Sequence, residues 1–310
     1  MLVLKMPTAL VTGINGFTGM HLVPELQRNG FVVAGIGQES SIFQDVTVLQ
    51  CDLTDRKATI NAVNEICPEV VIHLAGIAFA AHDDVDTLYR TNVFGTRNLL
   101  EALALSKCKP RAILLASSAN IYGNAAVTPI KENTPPAPAN DYAVSKLAME
   151  YMARLWVDKL PIVIARPFNY TGRGQSLQFL LPKIVDHFKR RTVSIELGNL
   201  DVVRDFSDVR AVVRIYRMLI DAPMRGDVYN VCSGEGYSLQ AVLSMMRELT
   251  GHDLAVRVNP SFVRENEIHK LIGSRKKLDG AIGRFSAPPL KKTLQWMLEA
   301  NSLTVSGSTQ

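Results

Sequence analysis

The chain has 310 residues, of which 47% are hydrophobic and 20% charged, and its net charge is +5. This is the composition of an ordinary globular chain with ample apolar side chain for a sizeable core. Its basic residues are scattered, with short clusters at Lys189-Arg190-Arg191 and Arg275-Lys276-Lys277, so no aromatic-interleaved basic stripe argues for nucleic acid, and no uncharged apolar run of about 18 residues argues for a membrane span.

Residues 9–12 read as a buried strand, 17–29 as a helix closed by Gly30, and 31–36 and 46–50 as two more strands. A helix is expected over 54–66, with Asp55 early in it where a carboxylate suits the helix dipole. Strand 70–72, one long helix over 85–106 and strand 112–116 follow. Thr134-Pro135-Pro136-Ala137-Pro138 is extended loop, because proline fixes φ and restricts its predecessor. Helix 142–157 and strand 162–164 complete the regular part. Beyond Phe168 the pattern is irregular, with short strands and about three helices. Strands hydrophobic throughout, each followed by a crossover helix, predict an α/β fold: a Rossmann-type, doubly wound parallel sheet with a smaller C-terminal substrate-binding lobe. The expected division is a dinucleotide-binding part over 1–168 with parts of 205–235, a lobe over 169–300, and a loose polar tail over 301–310.

The mild positive excess suits a phosphate-bearing ligand or a solvated surface equally well. The four cysteines, Cys51, Cys67, Cys108 and Cys232, form no C-x-x-C pair and read as reduced, mostly buried thiols of a cytosolic protein. The six histidines show no metal spacing, so no metal is expected. The N-terminal segment lacks the features of a signal peptide, which predicts a cytoplasmic protein.

Four motifs carry chemistry. Thr12-Gly13-Ile14-Asn15-Gly16-Phe17-Thr18-Gly19 follows the first strand with the spacing G-x-x-G-x-x-G. Glycines there permit a tight turn and let helix N-terminal amides approach a pyrophosphate; without a ligand the same residues make a plain turn. Asp52, in Cys51-Asp52-Leu53, either accepts from an adenine amino group or caps the helix that begins near Thr54. In His73-Leu74-Ala75-Gly76 the small residues admit a ribose or phosphate, while His73 reads as a satisfied interior histidine. Tyr142-Ala143-Val144-Ser145-Lys146 is Y-x-x-x-K on a helix, and the i, i+4 spacing puts both side chains on one face. A free tyrosine has a pKa of about 10, and a neighbouring ammonium is expected to lower it. Ser117-Ser118 ends the strand just upstream, at the sheet edge where substrates bind.

Together these residues resemble the extended short-chain dehydrogenase/reductase (NAD-dependent epimerase/dehydratase) family from Thr8 to about Glu299, with Asn92-Val93-Phe94-Gly95-Thr96 and Arg166-Pro167-Phe168-Asn169 also in place. The resemblance implies NAD or NADP as cofactor, held by Gly13, Asn15, Gly16, Phe17, Thr18, Gly19, Asp52, Leu53, Leu74, Ala75, Gly76, Asn92, Tyr142 and Lys146. It implies Ser118, Tyr142 and Lys146 as catalytic triad, Ser118 lying four residues before Tyr122. The family's 4,6-dehydratases need a glutamate two residues before that same tyrosine, often with an acid beside it; Ala119 and Asn120 stand there and neither is an acid or base, so a dehydratase is not expected. Residues 198–206, Val228-Tyr229-Asn230-Val231-Cys232-Ser233-Gly234, Arg264-Glu265-Asn266-Glu267 and Gly273-Ser274 resemble the family's GDP-mannose branch. By that resemblance the substrate is a nucleotide sugar, contacted by Ser118, Asn120, Asn169, Lys183, Arg204, Arg264 and Glu267. The implied reaction is reduction of the C4 keto group of a GDP-4-keto-6-deoxy-mannose-type sugar, as in GDP-rhamnose synthesis. A nucleotide-sugar 4-epimerase, a reductase of a UDP- or dTDP-linked 4-keto sugar, and an NAD(P)-sensing regulator are the alternatives. Gly37, then Gln38, Glu39 and Ser40, place neither an acid nor an arginine where the ribose 2′ position is read, which leans toward NADPH. The family also suggests a homodimer through helices near 92–106 and 142–157.

Overall fold

The structure is a computed structural model and describes residues 6–39, 41–78, 84–222, 225–262 and 268–300. In chain order the main sheet uses β1 (Thr8–Thr12), β2 (Val32–Gly37), β3 (Ser41–Phe43), β4 (Val46–Gln50), β5 (Val70–His73), β6 (Ala112–Ala116) and β7 (Ile162–Pro167). Its helices are α1 (Phe17–Arg28), α2 (Arg56–Ile66), α3 (Val85–Tyr89), α4 (Thr96–Leu105) and α5 (Asp141–Arg154). Then come β8 (Asn169–Thr171), α6 (Leu180–Lys189), β9 (Ser194–Leu197), β10 (Val203–Asp208), α7 (Val209–Asp221), β11 (Val228–Val231), β12 (Gly236–Ser238), α8 (Leu239–Thr250), β13 (Ala255–Val258), β14 (Lys270–Leu271), α9 (Lys276–Ile282) and α10 (Leu290–Leu298).

The main sheet runs β11-β7-β6-β5-β1-β2-β4-β3. Every pairing is parallel except that of the short edge strand β3, which lies antiparallel to β4 and which the sequence pattern did not disclose. Successive strand residues feed opposite faces. Ala9, Val11, Val70, Ile72 and Leu114 enter a core shared with α1, α7 and α9, whereas Leu10, Val71, Ile113 and Leu115 enter one shared with α2, α4 and α5. This two-sided burial, worth about 1.5–3 kcal/mol for each large aliphatic side chain, is why the strands are apolar throughout. A separate core joins α6, α8 and α10 through Ile184, Phe188, Val242, Met246 and Leu294, over the pair β9–β13 and the small sheet around β10.

Three local expectations change. The helix over 85–106 is two helices joined by a π-helical turn, Arg90–Gly95. The C-terminal half carries five α-helices among the described residues rather than about three, and α7 and α9 pack on the main sheet. Asp55 is the N-cap of α2, accepting from the amides of Lys57 and Ala58, while Asp52 accepts from Thr54 N–H one turn earlier.

The cysteines require a correction. Cys67 and Cys108 are joined in a disulfide, with Cα atoms 5.3 Å apart, and only Cys51 and Cys232 are free and buried. Cys67 is the left-handed C-cap of α2, and Cys108 follows α4. The close packing of α2 on α4 brings the two helix ends together, a proximity that a separation of 41 residues does not announce. Denatured without reductant, the protein should show two titratable thiols, and four after reduction. The bridge closes a 41-residue loop, so replacing Cys67 by Ser should lower stability by up to about 4 kcal/mol in a urea titration; four thiols at the outset would refute the bridge.

Candidate active site

β1 lies between β2 and β5, where the order of the sheet reverses and a crevice opens beyond the strand ends. The glycine turn stands at that crevice. Gly13 has φ +67°, and a Cβ there would lie 2.7 Å from the amide nitrogen of Ala75. A Cβ on Gly19 would fall on the carbonyl of Ile14. Gly16, the N-cap of α1, offers no side-chain cap, and the first turn of α1 has no acidic residue. Unsatisfied amides at the positive end of a 12-residue helix, reached across backbone without side chains, suit a pyrophosphate. The residues present therefore fit a dinucleotide.

The floor is set by β5 and the π turn. Ala75 N–H donates to the Thr12 hydroxyl (3.2 Å), which lies 2.7 Å from His73 Nδ1; His73 Nε2 lies 2.8 Å from the Thr96 hydroxyl, which donates to Asn92 C=O. Because the Thr96 proton is committed to that carbonyl, Thr96 accepts from Nε2–H, and Nδ1 accepts from Thr12. This order fixes one neutral tautomer, and burial pushes the His73 pKa down to about 3. His73 is thus the interior histidine that the sequence suggested. Asn92 is 1% exposed. Its amide accepts from Ile77 N–H and donates to Ile77 C=O and to Ser145 Oγ, tying the loop after β5 to α5. A Cβ on Gly76 would sit 2.8 Å from Asn92 Oδ1 and 3.1 Å from Lys146 Nζ.

Opposite the glycine turn, β6 and α5 bring three side chains together. Ser118 hydrogen-bonds with Tyr142, and Lys146 Nζ donates to Ala116 C=O at 3.0 Å. Burial pushes Tyr142 up to about 12, only partly opposed by the Ser118 bond, with Tyr170 adding to the rise. The expectation that Lys146 lowers the Tyr142 pKa is not met, because burial of the phenol dominates and the ammonium is turned to a backbone carbonyl. Burial lowers Lys146 to about 8, and the charge of Glu150 works against that drop.

Gly13, Gly16, Phe17, Thr18, Leu74, Gly76, Ser118, Asn120, Tyr142, Lys146 and Asn169 line one cleft of about 460 Å³. Asn15, Gly19, Asp52, Leu53, Ala75 and Asn92 are not in that lining; Leu53 and Asn92 are buried behind it. From the lobe come Phe168, Tyr170, Gln175, Ser176 and Phe179. Tyr170 hydrogen-bonds with Thr18 (2.8 Å) and stacks on Phe17, joining β8 to α1. Lys183 lies off the cleft, its ammonium on Glu196 C=O and over the Phe262 ring, and Arg204 donates to the carbonyls of Val203 and His269. Arg264 and Glu267 lie outside the described residues. A larger groove of about 670 Å³ beside β11 and α9 holds none of these groups. Among the described residues no cluster could hold a metal ion, and no helix is long and apolar enough to cross a membrane.

Two features escaped the sequence reading. Asp205, fully buried, accepts from Ser233 N–H and O–H and from the amides of Gly234 and Gly273, so it knots together three of the C-terminal motifs. Glu150 forms a buried bidentate pair with Arg166 (2.6 and 2.8 Å) and accepts from Ser117 Oγ. The spacing Lys146 to Glu150 was the available signal for the second; nothing local announced the first.

A glycine turn at the switch point of a parallel sheet, facing a Ser-Tyr-Lys cluster across one cleft, defines a nicotinamide-dinucleotide oxidoreductase. The model of the NAD dependent epimerase/dehydratase family matches residues 9–232, and the chain belongs to that family. It is 33% identical over 275 residues to a GDP-6-deoxy-D-talose 4-dehydrogenase of Aggregatibacter actinomycetemcomitans, covering 88% of this chain and 90% of that one. It is 31% identical over 300 residues to a GDP-6-deoxy-D-mannose reductase of Pseudomonas aeruginosa, covering 93% and 95%. The structure of RMD from Pseudomonas aeruginosa complexed with NADPH matches with a TM-score of 0.83 at 29% identity, over 94% of this chain and 97% of that one. The protein is an NAD(P)-dependent nucleotide-sugar oxidoreductase.

The histidine network generates a stability prediction. Native His73 is held neutral down to about pH 3, whereas the unfolded side chain takes up a proton below about 6.5. Stability should therefore fall as pH drops below about 6.5, by at most about 1.4 kcal/mol per unit from this residue. Urea titrations at pH 7 and pH 5 should show that drop in the wild type and a smaller one in His73→Gln; equal drops would refute it.

Proposed function

We propose that the protein reduces the C4 keto group of a GDP-4-keto-6-deoxy-mannose-type sugar with NADPH or NADH, forming a GDP-rhamnose-type product. The convergence of Ser118, Tyr142 and Lys146 opposite the glycine turn carries this reading. The cofactor's pyrophosphate is assigned to the turn Gly13 to Gly19 and its nicotinamide ribose to Lys146. When bound, the reduced nicotinamide supplies the hydride. Ser118 and Tyr142 hold the sugar's carbonyl oxygen, and Tyr142 donates a proton to the alkoxide as it develops. A tyrosine pushed up to about 12 is fully protonated at neutral pH, as a donor in the reducing direction must be. Ala119 and Asn120 line the cleft where a dehydratase would need acids. The similarity to a GDP-6-deoxy-D-talose 4-dehydrogenase and a GDP-6-deoxy-D-mannose reductase supports the GDP-sugar class, and the 2′ position at Gly37 supports the lean to NADPH. A nucleotide-sugar 4-epimerase is the second reading, favoured by the family's own name.

Mixing protein, NADPH and GDP-4-keto-6-deoxy-mannose should deplete absorbance at 340 nm; no depletion with either cofactor would overturn the reductase and leave an epimerase or another 4-keto sugar. Tyr142→Phe should lower turnover by about 10² to 10⁴ while leaving NADPH affinity within a few fold, read by fluorescence.

The assembly proposed is a homodimer through α4 and α5. Phe94 just before α4 and Leu105 at its end, with Val144, Tyr151 and Leu155 along α5 and its end, are apolar and exposed, Leu155 at 79%. Light scattering should give twice the chain mass, and Leu155→Lys with Tyr151→Glu should halve it.

A further inference from the structure

Ser118 stands at the border between polar and apolar surroundings. It is the N-cap of one turn of 3-10 helix, Ala119–Tyr122, and the amide of Asn120 donates to its hydroxyl at 3.2 Å. Ala119, the next residue, belongs to a small apolar cluster with Tyr122, Phe168, Cys232 and Leu271, drawn together from the ends of β6, β7 and β11 and from β14. Three of these, Ala119, Phe168 and Leu271, also line the cleft, and Asn120 lines it beside them. The three side chains carry no donor or acceptor. Phe168 is confined: the Tyr122 ring lies 6.3 Å from it, and a Cβ on Gly273 would come within 2.8 Å of its ring and 2.6 Å of Cys232 Sγ. We propose that Ala119, Phe168 and Leu271 form the subsite for C6 of the sugar and select a 6-deoxy hexose over its 6-hydroxy counterpart.

The proposal rests on the reading of the cleft as a 4-keto-sugar site given above. With the C4 carbonyl oxygen held by Ser118 and Tyr142, the ring carbons on either side of C4 lie against the residues around Ser118. Those carbons differ. C3 carries a hydroxyl, whereas C5 carries C6, which in a 6-deoxy sugar is a methyl group and the only apolar substituent of the ring. The surroundings of Ser118 differ in the same way: Asn120 offers an amide, and Ala119 with Phe168 and Leu271 offers a patch without polar atoms. Setting the methyl on the patch and the C3 hydroxyl toward the amide satisfies both, while the reverse pairing strips water from a hydroxyl and gives it no partner. A hydroxyl on C6 meets the same penalty. Because Phe168 has no room to withdraw, the patch cannot open to let water follow that hydroxyl. The size of the effect is bounded, since an apolar pocket rejects an analogue that adds one hydroxyl by about 10²-fold.

GDP-D-rhamnose and GDP-D-mannose differ only by the oxygen on C6, and both carry a reduced C4. Calorimetric titration of each into the protein with saturating NADP+ should show GDP-rhamnose bound the more tightly, by about 10- to 10²-fold. Ala119→Ser sets one hydroxyl on the patch at little cost in volume, and it should narrow that ratio several-fold, chiefly by tightening GDP-mannose. Equal affinities in the wild type would overturn the proposal without any variant having to fold, and an unchanged ratio in Ala119→Ser would overturn it as well. Binding of both sugars with equal affinity would remove the C6 subsite and leave the GDP-sugar reading standing. Failure of either sugar to bind at all would fall on that reading itself and take the subsite with it.

Discussion

The cleft depends on how closely two backbones approach. The turn that leaves β1 lies against the loop that leaves β5, so closely that a single methyl on Gly13 would meet the amide of Ala75. That contact brings the amides of α1 to the crevice, and it has to be held from behind. Thr12, His73 and Thr96 hold it with one directed chain of hydrogen bonds, ending on the carbonyl of Asn92. The π turn is the means by which Asn92 reaches inward, since an extra residue in the helical repeat re-aims one side chain without breaking the helix. Asn92 then grips Ile77 and Ser145. The position of the glycine turn and the position of α5 are thereby one structural fact.

The lobe is tied to this frame at two kinds of place. Asp205 gathers the segments after β11 and before α9 around β10, with burial opposing its ionisation and four hydrogen bonds favouring it. Tyr170 and Phe17 make the other tie, carrying β8 onto the first turn of α1. Trp296 of α10 adds to it, lying between the guanidinium groups of Arg173 and Arg210 and beside His21 of α1. The helix that fits a pyrophosphate is thus packed directly against elements that line the same cleft.

Much of this was legible because the decisive signals were local. Strand residues apolar on both faces gave the parallel sheet, and the Y-x-x-x-K spacing gave one face of α5. What escaped was set by tertiary neighbours. β3 is three residues long and pairs only because Gln44 and Asp45 adopt left-handed turns. The π turn within 85–106 answers to Ile77 and Ser145, neither of which stands near Asn92 in sequence. Cys67 and Cys108 meet because two helices end side by side. Lys183 was expected at the nucleotide sugar, yet its ammonium is held by the Glu196 carbonyl and the Phe262 ring. The acidity of Tyr142 went wrong for a related reason: the spacing showed a nearby cation, but only the fold showed the depth of burial.

That depth bears on the chemistry. Burial moves Tyr142 and Lys146 in opposite directions on the pH scale but toward the same condition, each favouring its uncharged form. A deeply protonated tyrosine suits proton donation and opposes proton abstraction. Lysine is the member for which burial is harmful, because a neutral amine cannot balance an alkoxide or a phenolate. The two residues share one wall, so the wall cannot be tuned for one and not the other.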